Sequence, residues 1–366
     1  MKIAVDKSDF QDALKKVSGV TEKKSSLPIL TNFLLEAKDD YLYIIGTDLE
    51  IFSWYRIPAK IEEEGKICVN AKKITDISKL VSGNEILIYK EENTLKIKSA
   101  KTNYKLQTFD PEDFPKMPEF QENNAFYISG VSLLRGISSV MYASSKESSR
   151  YALSGVAFSM KGNIIDFVAT DGHRLALYRV NTDQNLEKNI LIVPQKALNE
   201  LKKLITGLED IEISYVDSES MLFFKSKEWL LATRLVEGAF PDYEAVIPES
   251  YNIEIVLNIE EFENALKRVS VVIDSDIKPV VIRLEDNKMI IKTPSSEENQ
   301  AEEQLDIEYN QEPFEIGFNS RYIIDALEPI EEKEFIIRFT SPQAQTLILP
   351  KEEQNYKAIV MPMEVK

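Results

Sequence analysis

Two side chains in this sequence could open covalent or metal-based chemistry, and each is the only one of its kind. The chain holds one histidine, His173, and one cysteine, Cys68. His173 follows Thr170-Asp171-Gly172, which invites a catalytic or metal-binding reading. No second carboxylate and histidine are patterned with it, however. Asp171 reads better as a turn former next to Gly172, and His173 as a turn residue beside Arg174. Cys68 lies in the apolar run Ile67-Cys68-Val69 and reads as core. A single cysteine excludes an internal disulfide, and one Cys with one His leaves no ordinary zinc set. No Gly-x-x-x-x-Gly-Lys-Ser/Thr loop for a nucleoside triphosphate occurs. The expectation is a protein with no catalytic residues, no metal and no cofactor.

The elements that position these residues belong to a long, acidic chain. Its 366 residues exceed the roughly 250 that one core usually serves, so two or three domains are expected. Sixty-one acidic residues face 44 basic ones, a formal net charge of −17. A general nucleic-acid coat is basic throughout, so any contact with DNA needs a segregated surface. With 43% hydrophobic and 29% charged residues the composition is that of a folded soluble protein. The first ten residues meet Asp6 and lack an apolar signal core, and no run reaches the 18 apolar residues of a membrane span. A cytoplasmic protein with no membrane partner is expected.

An internal repeat organises the chain. Ile67–Ile77, Ile192–Leu201 and Ile316–Ala326 each read as an apolar strand, a polar turn and an amphipathic helix. Asn70, Gln195 and Asn319 occupy the three turns, about 125 residues apart. A second series of helices is expected near Lys7–Val20, Ser129–Met141 and Asn258–Val271, with Asp9, Ser132 and Glu260 near their starts to meet free N–H groups. The first series gives helices near Asn70–Ser82, Pro194–Thr206 and Asn319–Glu328. Between helices, runs such as Phe33–Ala37, Tyr104–Gln107, Met221–Lys225 and Phe335–Phe339 alternate with period two, as half-buried antiparallel strands do. So few helices cannot supply a crossover for every strand, which disfavours an α/β barrel or doubly wound sheet. The predicted fold is α+β: three similar domains, 1–120, 126–248 and 251–366, each with two helices packed on antiparallel sheet.

The breaks between domains repeat as well. Phe114-Pro115 and Phe240-Pro241 stand 126 residues apart, where proline stiffens the connection and stops the preceding strand. Equal domains on equivalent stiff connections should turn alike at each step and describe an arc, which a second copy can close. Charge is partitioned too. The first four expected helices are net basic and the last two net acidic, in a chain that is strongly acidic elsewhere. Mildly basic helices suit a duplex held loosely by its phosphates, without sequence reading.

Five strings then point to a family. Ser26-Leu-Pro-Ile-Leu30, Thr47-Asp-Leu-Glu50, Ala169-Thr-Asp-Gly-His-Arg-Leu-Ala176, Gly238-Ala-Phe-Pro-Asp-Tyr243 and Val360-Met-Pro-Met363 occur in the order, and near the positions, found in bacterial sliding clamps, the beta subunits of replicative DNA polymerases. The chain resembles that family along its whole length. The resemblance implies a DNA clamp fold, a half-ring that closes as a head-to-tail homodimer around double-stranded DNA. It implies a processivity factor that tethers the polymerase catalytic subunit, is placed by an ATP-driven clamp loader, and serves other polymerases and repair proteins through short peptide motifs. A peptide-binding scaffold that does not encircle DNA is the alternative, and an enzyme acting on nucleic acid is a poorer third.

The resemblance also carries residues over. It places the partner-peptide pocket at Leu153, Thr170, Gly172, His173, Arg174, Leu175, Pro241, Val246, Val360, Met361, Pro362 and Met363, an apolar cleft with backbone and hydroxyl groups to orient a glutamine-led segment. Ala245 and Glu364 stand at its rim where arginine or another basic residue is frequent in the family. Lys24, Lys146 and Arg150 match loops near the hole. The helix residues Lys15, Lys16, Lys72, Lys73, Lys79, Arg135, Lys196, Lys202, Lys203, Lys267 and Arg268 form the wider DNA-facing pool. At the subunit interface, Tyr104 and Leu106 of one copy are expected against Val271 and Val272 of the other. Lys101 should oppose the acidic stretch Glu297, Glu298, Glu302 and Glu303, with sheet edges meeting there.

Overall fold

The computed structural model describes residues 1–122, 125–147, 151–205, 210–216, 220–295 and 298–364. Arg150 and Glu297 lie outside the described residues. Six α-helices are present among those described: α1 (Lys7–Val17), α2 (Ala71–Leu80), α3 (Gly130–Val140), α4 (Gln195–Leu204), α5 (Ile259–Ser270) and α6 (Ser320–Leu327). Each directly follows a strand, so the strand–helix unit read from the repeat recurs six times.

The helices form where apolar residues recur at three and four. Phe10, Ala13, Leu14 and Val17 form the buried stripe of α1, and Phe262, Ala265, Leu266 and Val269 that of α5. Leu133, Ile137 and Val140 of α3 are buried in the same register, with Gly136 in the place of the alanine. A methyl group on Gly136 would lie 2.4 Å from the Phe167 ring, so only glycine lets this helix seat. Short 3-10 segments, Ser18–Val20 and Met141–Ala143, tighten the ends of α1 and α3 where longer α-helices were expected.

The caps stand one turn earlier than the sequence suggested. Asp6 accepts from the N–H of Ser8 and Asp9, Ser129 from Ser132, and Asn258 from Glu261. Asp9, Ser132 and Glu260 therefore sit inside the first turn, because a capping oxygen reaches the N–H two or three residues ahead. Asn70 and Asn319 cap α2 and α6 from the turns, as expected, while Gln195 is already the first residue of α4.

Contacts gather the chain into two compact units, 1–134 with 196–235, and 135–195 with 236–366. The middle third contributes to both. In the first unit thirteen of the described strands form one antiparallel sheet. Its continuity rests on Trp229–Arg234 pairing along Ile51–Pro58, from Trp229 against Tyr55 to Thr233 against Ile51. In the second unit the long hairpin of Gly155–Thr170 and Arg174–Pro194 is extended by the strands Tyr356–Val360, Thr346–Pro350, Glu334–Phe339 and Ile253–Asn258. Four further strands there, Pro279–Glu285, Lys288–Lys292, Glu302–Asp306 and Phe314–Asn319, make a separate sheet. The architecture is α+β, helices on antiparallel sheet. The two Phe-Pro breaks do equivalent work: Phe114 packs on Leu34 and Cys68, and Phe240 on a cluster containing Leu175, Leu177 and Ile359.

Candidate functional site

The string Thr170–Leu175 forms the tip of the long hairpin. Gly172 has φ 88°, a left-handed conformation that favours glycine, which allows the strand to reverse. Thr170 Oγ1 accepts from Gly172 N at 3.1 Å and donates to Arg174 O at 2.7 Å. Asp171 Oδ1 accepts from the N–H groups of His173 and Arg174 at 2.9 and 3.0 Å. Asp171 is thus a turn former, as its sequence context indicated. The ring of His173 lies near-parallel to Tyr322 with centroids 6.4 Å apart, and no metal-binding group of three or more His, Cys, Asp or Glu occurs among the described residues.

Arg174 is the structural centre of this tip. Its guanidinium bonds Asp171 Oδ2 at 3.1 Å, Asp325 Oδ2 at 2.5 Å and the Tyr142 carbonyl at 2.9 Å, and lies over the Tyr322 ring at 4.5 Å. Burial works against its charge, but Asp325 and Asp171 outweigh that penalty and raise its pKa further. Asp325, Tyr142 and Tyr322 carried no sequence signal; Asp325 is 151 residues from Arg174. Only folding brings them together.

The end of the chain is stitched to the same tip. Arg174 pairs with Val360 in the sheet, and Met361 N donates to His173 O at 2.9 Å. Beyond it Met363 N donates to Gly317 O at 2.9 Å. Leu175 lies beneath, 4% exposed, in a cluster with Leu177, Tyr243, Leu347 and Ile359. Met361 and Val246 remain open at 41% each, and the Val246 carbonyl accepts from Gln345. Leu153 closes the short segment Tyr151–Leu153, its carbonyl accepting from Ser145 N.

Five residues of the set line three separate clefts. His173 and Arg174 line a cleft of about 480 Å³ with Asn319 and Tyr322. Pro362 and Met363 line another of about 350 Å³ beside Gly317 and Pro342. Pro241 belongs to a third, of about 720 Å³, with Phe240, Tyr243, Asp166 and Arg179. Such a surface, apolar knobs joined by open clefts, suits an extended segment better than a compact small molecule.

Cys68 is fully buried, and burial pushes its thiol up to about 12, far from a usable nucleophile at neutral pH.

The cations assigned to a DNA face divide into two groups. Lys79, Arg135, Lys196, Lys203, Lys267 and Arg268 are paired with Asp76, Glu331, Asp48, Glu200, Glu263 and Glu303 respectively. Lys16 donates to the Tyr55 hydroxyl at 2.8 Å and lies over that ring. Lys15, Lys24, Lys72, Lys73 and Lys146 are exposed and Lys202 half-buried, with no intrachain ion pair among the described residues. The Arg268–Glu303 pair, 2.7 Å at Nε, joins two residues that the sequence reading had assigned to different surfaces.

Two strands that carry expected interface residues have an unpaired edge among the described strands. In the strand Thr102–Phe109, residues Thr102–Gln107 pair with Thr94–Ser99, but on the other side only Thr108 and Phe109 are paired. Glu302–Asp306 pairs only with Lys288–Lys292 among the described strands. Lys101 and Lys105 are exposed on the first, Glu302 and Asp306 on the second. Tyr104 and Leu106 are half-buried, Val272 likewise, and Val271 is 73% exposed at the end of α5. Asn299 Nδ2 reaches the Val272 carbonyl at 3.4 Å, which ties that helix end to the acidic stretch.

Comparison with known proteins covers the whole chain. Residues 1–118, 128–242 and 244–364 match the N-terminal, central and C-terminal domain models of the DNA polymerase III beta subunit. The beta sliding clamps of Haemophilus influenzae and Vibrio cholerae are each 29% identical over 367 residues, covering 100% of both chains. A solved sliding clamp from Pseudomonas aeruginosa superposes with a TM-score of 0.95 at 29% identity, and one from Bacillus subtilis with 0.94 at 26%, each over 100% of both chains. With three domain models in order and full-length relatives on every side, the chain belongs to the DNA polymerase III beta-subunit family, the beta sliding clamps.

Proposed function

We propose that this chain is the DNA sliding clamp of a bacterial replicative polymerase, working as a closed ring of two copies around duplex DNA. The observation that carries the reading is the match of three domain models in family order, with a solved clamp aligned over 100% of the chain. A ring cannot leave a duplex sideways, so it tethers a polymerase without the strong contacts that would stop sliding. That mechanism requires no nucleophile, base or metal.

The open edges support closure. An edge strand with unpaired N–H and C=O groups gains from a partner strand. The edge at Thr102–Gln107 carries Lys105, with Lys101 just before it, and the edge at Glu302–Asp306 carries carboxylates. In a head-to-tail pair each edge of one copy meets the other edge of the second, with Val271 and Val272 against Tyr104 and Leu106. Exposed ion pairs contribute about 0–1 kcal/mol each, so the apolar contacts and edge hydrogen bonds dominate. Lys15, Lys24, Lys72, Lys73, Lys146 and Lys202 are the cations most free to meet phosphates, which gives weak, sequence-independent and salt-sensitive contact.

The surface around Leu175, Val246 and Val360–Met363 receives the polymerase catalytic subunit, the clamp loader and other DNA-processing proteins, one at a time, through a glutamine followed by apolar anchors. Primer extension with a family polymerase and loader tests this. Wild-type chain should lengthen products per binding event, and Leu175→Ala with Met363→Ala should abolish the gain while rings stay on DNA. Undiminished stimulation by the double variant would remove the assigned site.

A further inference from the structure

Two residues of the proposed peptide site, Pro241 and Val246, lie on a stretch with little regular structure of its own. Between Val236 and Asn252 the only regular piece is the 3-10 turn Glu244–Val246. Val236 N bonds Ile192 O at one end and Asn252 N bonds Phe339 O at the other. Between them Thr340 donates to the Ser250 carbonyl and Gln345 to the Val246 carbonyl, and Phe240 and Ile247 pack partly buried on the core. One side chain, however, both enters the core and hydrogen-bonds to the long hairpin. Tyr243 inserts its ring among Leu175, Leu177 and Ile359; its hydroxyl donates to Asp166 Oδ2 at 3.1 Å and lies within hydrogen-bond distance of Ser159 Oγ, 3.0 Å away.

Asp166 is an unusual anchor. It is 3% exposed, and a buried carboxylate is costly unless it is paired and hydrogen-bonded. Arg179, its direct cross-strand neighbour in the long hairpin, bonds both carboxylate oxygens at 2.7 Å. That fork fixes the carboxylate plane and leaves Oδ2 aimed at Tyr243. Removing the hydroxyl removes the loop's side-chain hydrogen bond to the hairpin at the point between Pro241 and Val246.

We infer that Tyr243, Asp166 and Arg179 are positioning residues that set the Pro241–Val246 wall of the partner-peptide site without touching the peptide. This rests on the reading of that site given above, and the controls separate the two. The probe is a synthetic fluorescent peptide with a glutamine followed by leucine and phenylalanine, titrated by anisotropy against full-length chain. Tyr243→Phe deletes a single oxygen and should weaken binding about five- to tenfold. Asp166→Asn, which breaks the bidentate fork, should weaken it similarly. The double variant should be no weaker than the worse single, because both act through one bond. Dimer assembly by sedimentation should be unchanged in all three. Met363→Ala in the same assay must lose binding; if it does not, the site itself is misplaced. If it does while Tyr243→Phe and Asp166→Asn bind as wild type, or if the two effects simply add, the positioning role is overturned.

Discussion

Gly136 shows how far one atom matters here. Elsewhere its register position is alanine, Ala13 in α1 and Ala265 in α5, and alanine is the better helix former by about 1 kcal/mol. In α3 the helix rides against Phe167, whose ring is held edge-on by Phe158 with centroids 4.7 Å apart. Gly136→Ala should therefore destabilise the chain by about 1–2 kcal/mol, overpacking outweighing propensity. Urea unfolding of the variant measures it, and a stabilised variant would contradict the account. Arg174 teaches a related lesson. It looks like one more pocket residue in the sequence, yet three of its hydrogen bonds go inward to Asp171, Asp325 and the Tyr142 carbonyl. The string Thr-Asp-Gly-His-Arg showed that a turn was present. The ties to Asp325 and the Tyr142 carbonyl, 151 and 32 residues away, depend on the fold, and no local pattern reveals them.

At the scale of elements, α5 and the strand Glu302–Asp306 are tied by Arg268 and Glu303. The hydrogen bond from Arg268 holds the Glu303 carboxyl below its ordinary value despite an opposing burial effect. A depressed acid stabilises the fold above the unfolded pKa and ceases to do so as pH falls through the folded one. The thermal midpoints of wild type and Arg268→Ala should therefore differ near pH 7 and converge below roughly pH 4. A gap as wide at the acid limit of folding as at pH 7 would assign the effect to packing rather than charge. Elements of this kind were unequally legible. All six helices could be read from apolar spacing, and their strand–turn–helix setting from the repeat. The edge strand Glu302–Asp306 could not, since Glu-Glu-Gln-Leu-Asp has a single apolar residue and no alternation. Ile51–Pro58 was missed for another reason. Its Ser-Trp-Tyr-Arg centre breaks the period of two, and its pairing with Trp229–Arg234 is set by contacts nearly two hundred residues apart. Caps were read a turn late because the residue that receives the bond resembles the one that gives it.

For the whole molecule, the repeat and the five family strings conveyed more than composition could. A net charge of −17 argues against a DNA-binding protein if it is spread evenly. The proposal requires the charge to be segregated, as it is in the first four helices, which are net basic in an acidic chain, and several of their cations are paired within the chain. What remains is a weak electrostatic hold, which suits a protein kept on DNA by topology. Nicked circular DNA loaded with the chain by a family clamp loader, then passed through a sizing column at moderate salt, puts this to the test. The account predicts that protein co-elutes with intact circles and is lost when a single cut makes them linear. Equal retention on circles and linear molecules would show that contacts, not enclosure, hold it there, and would contradict the central claim.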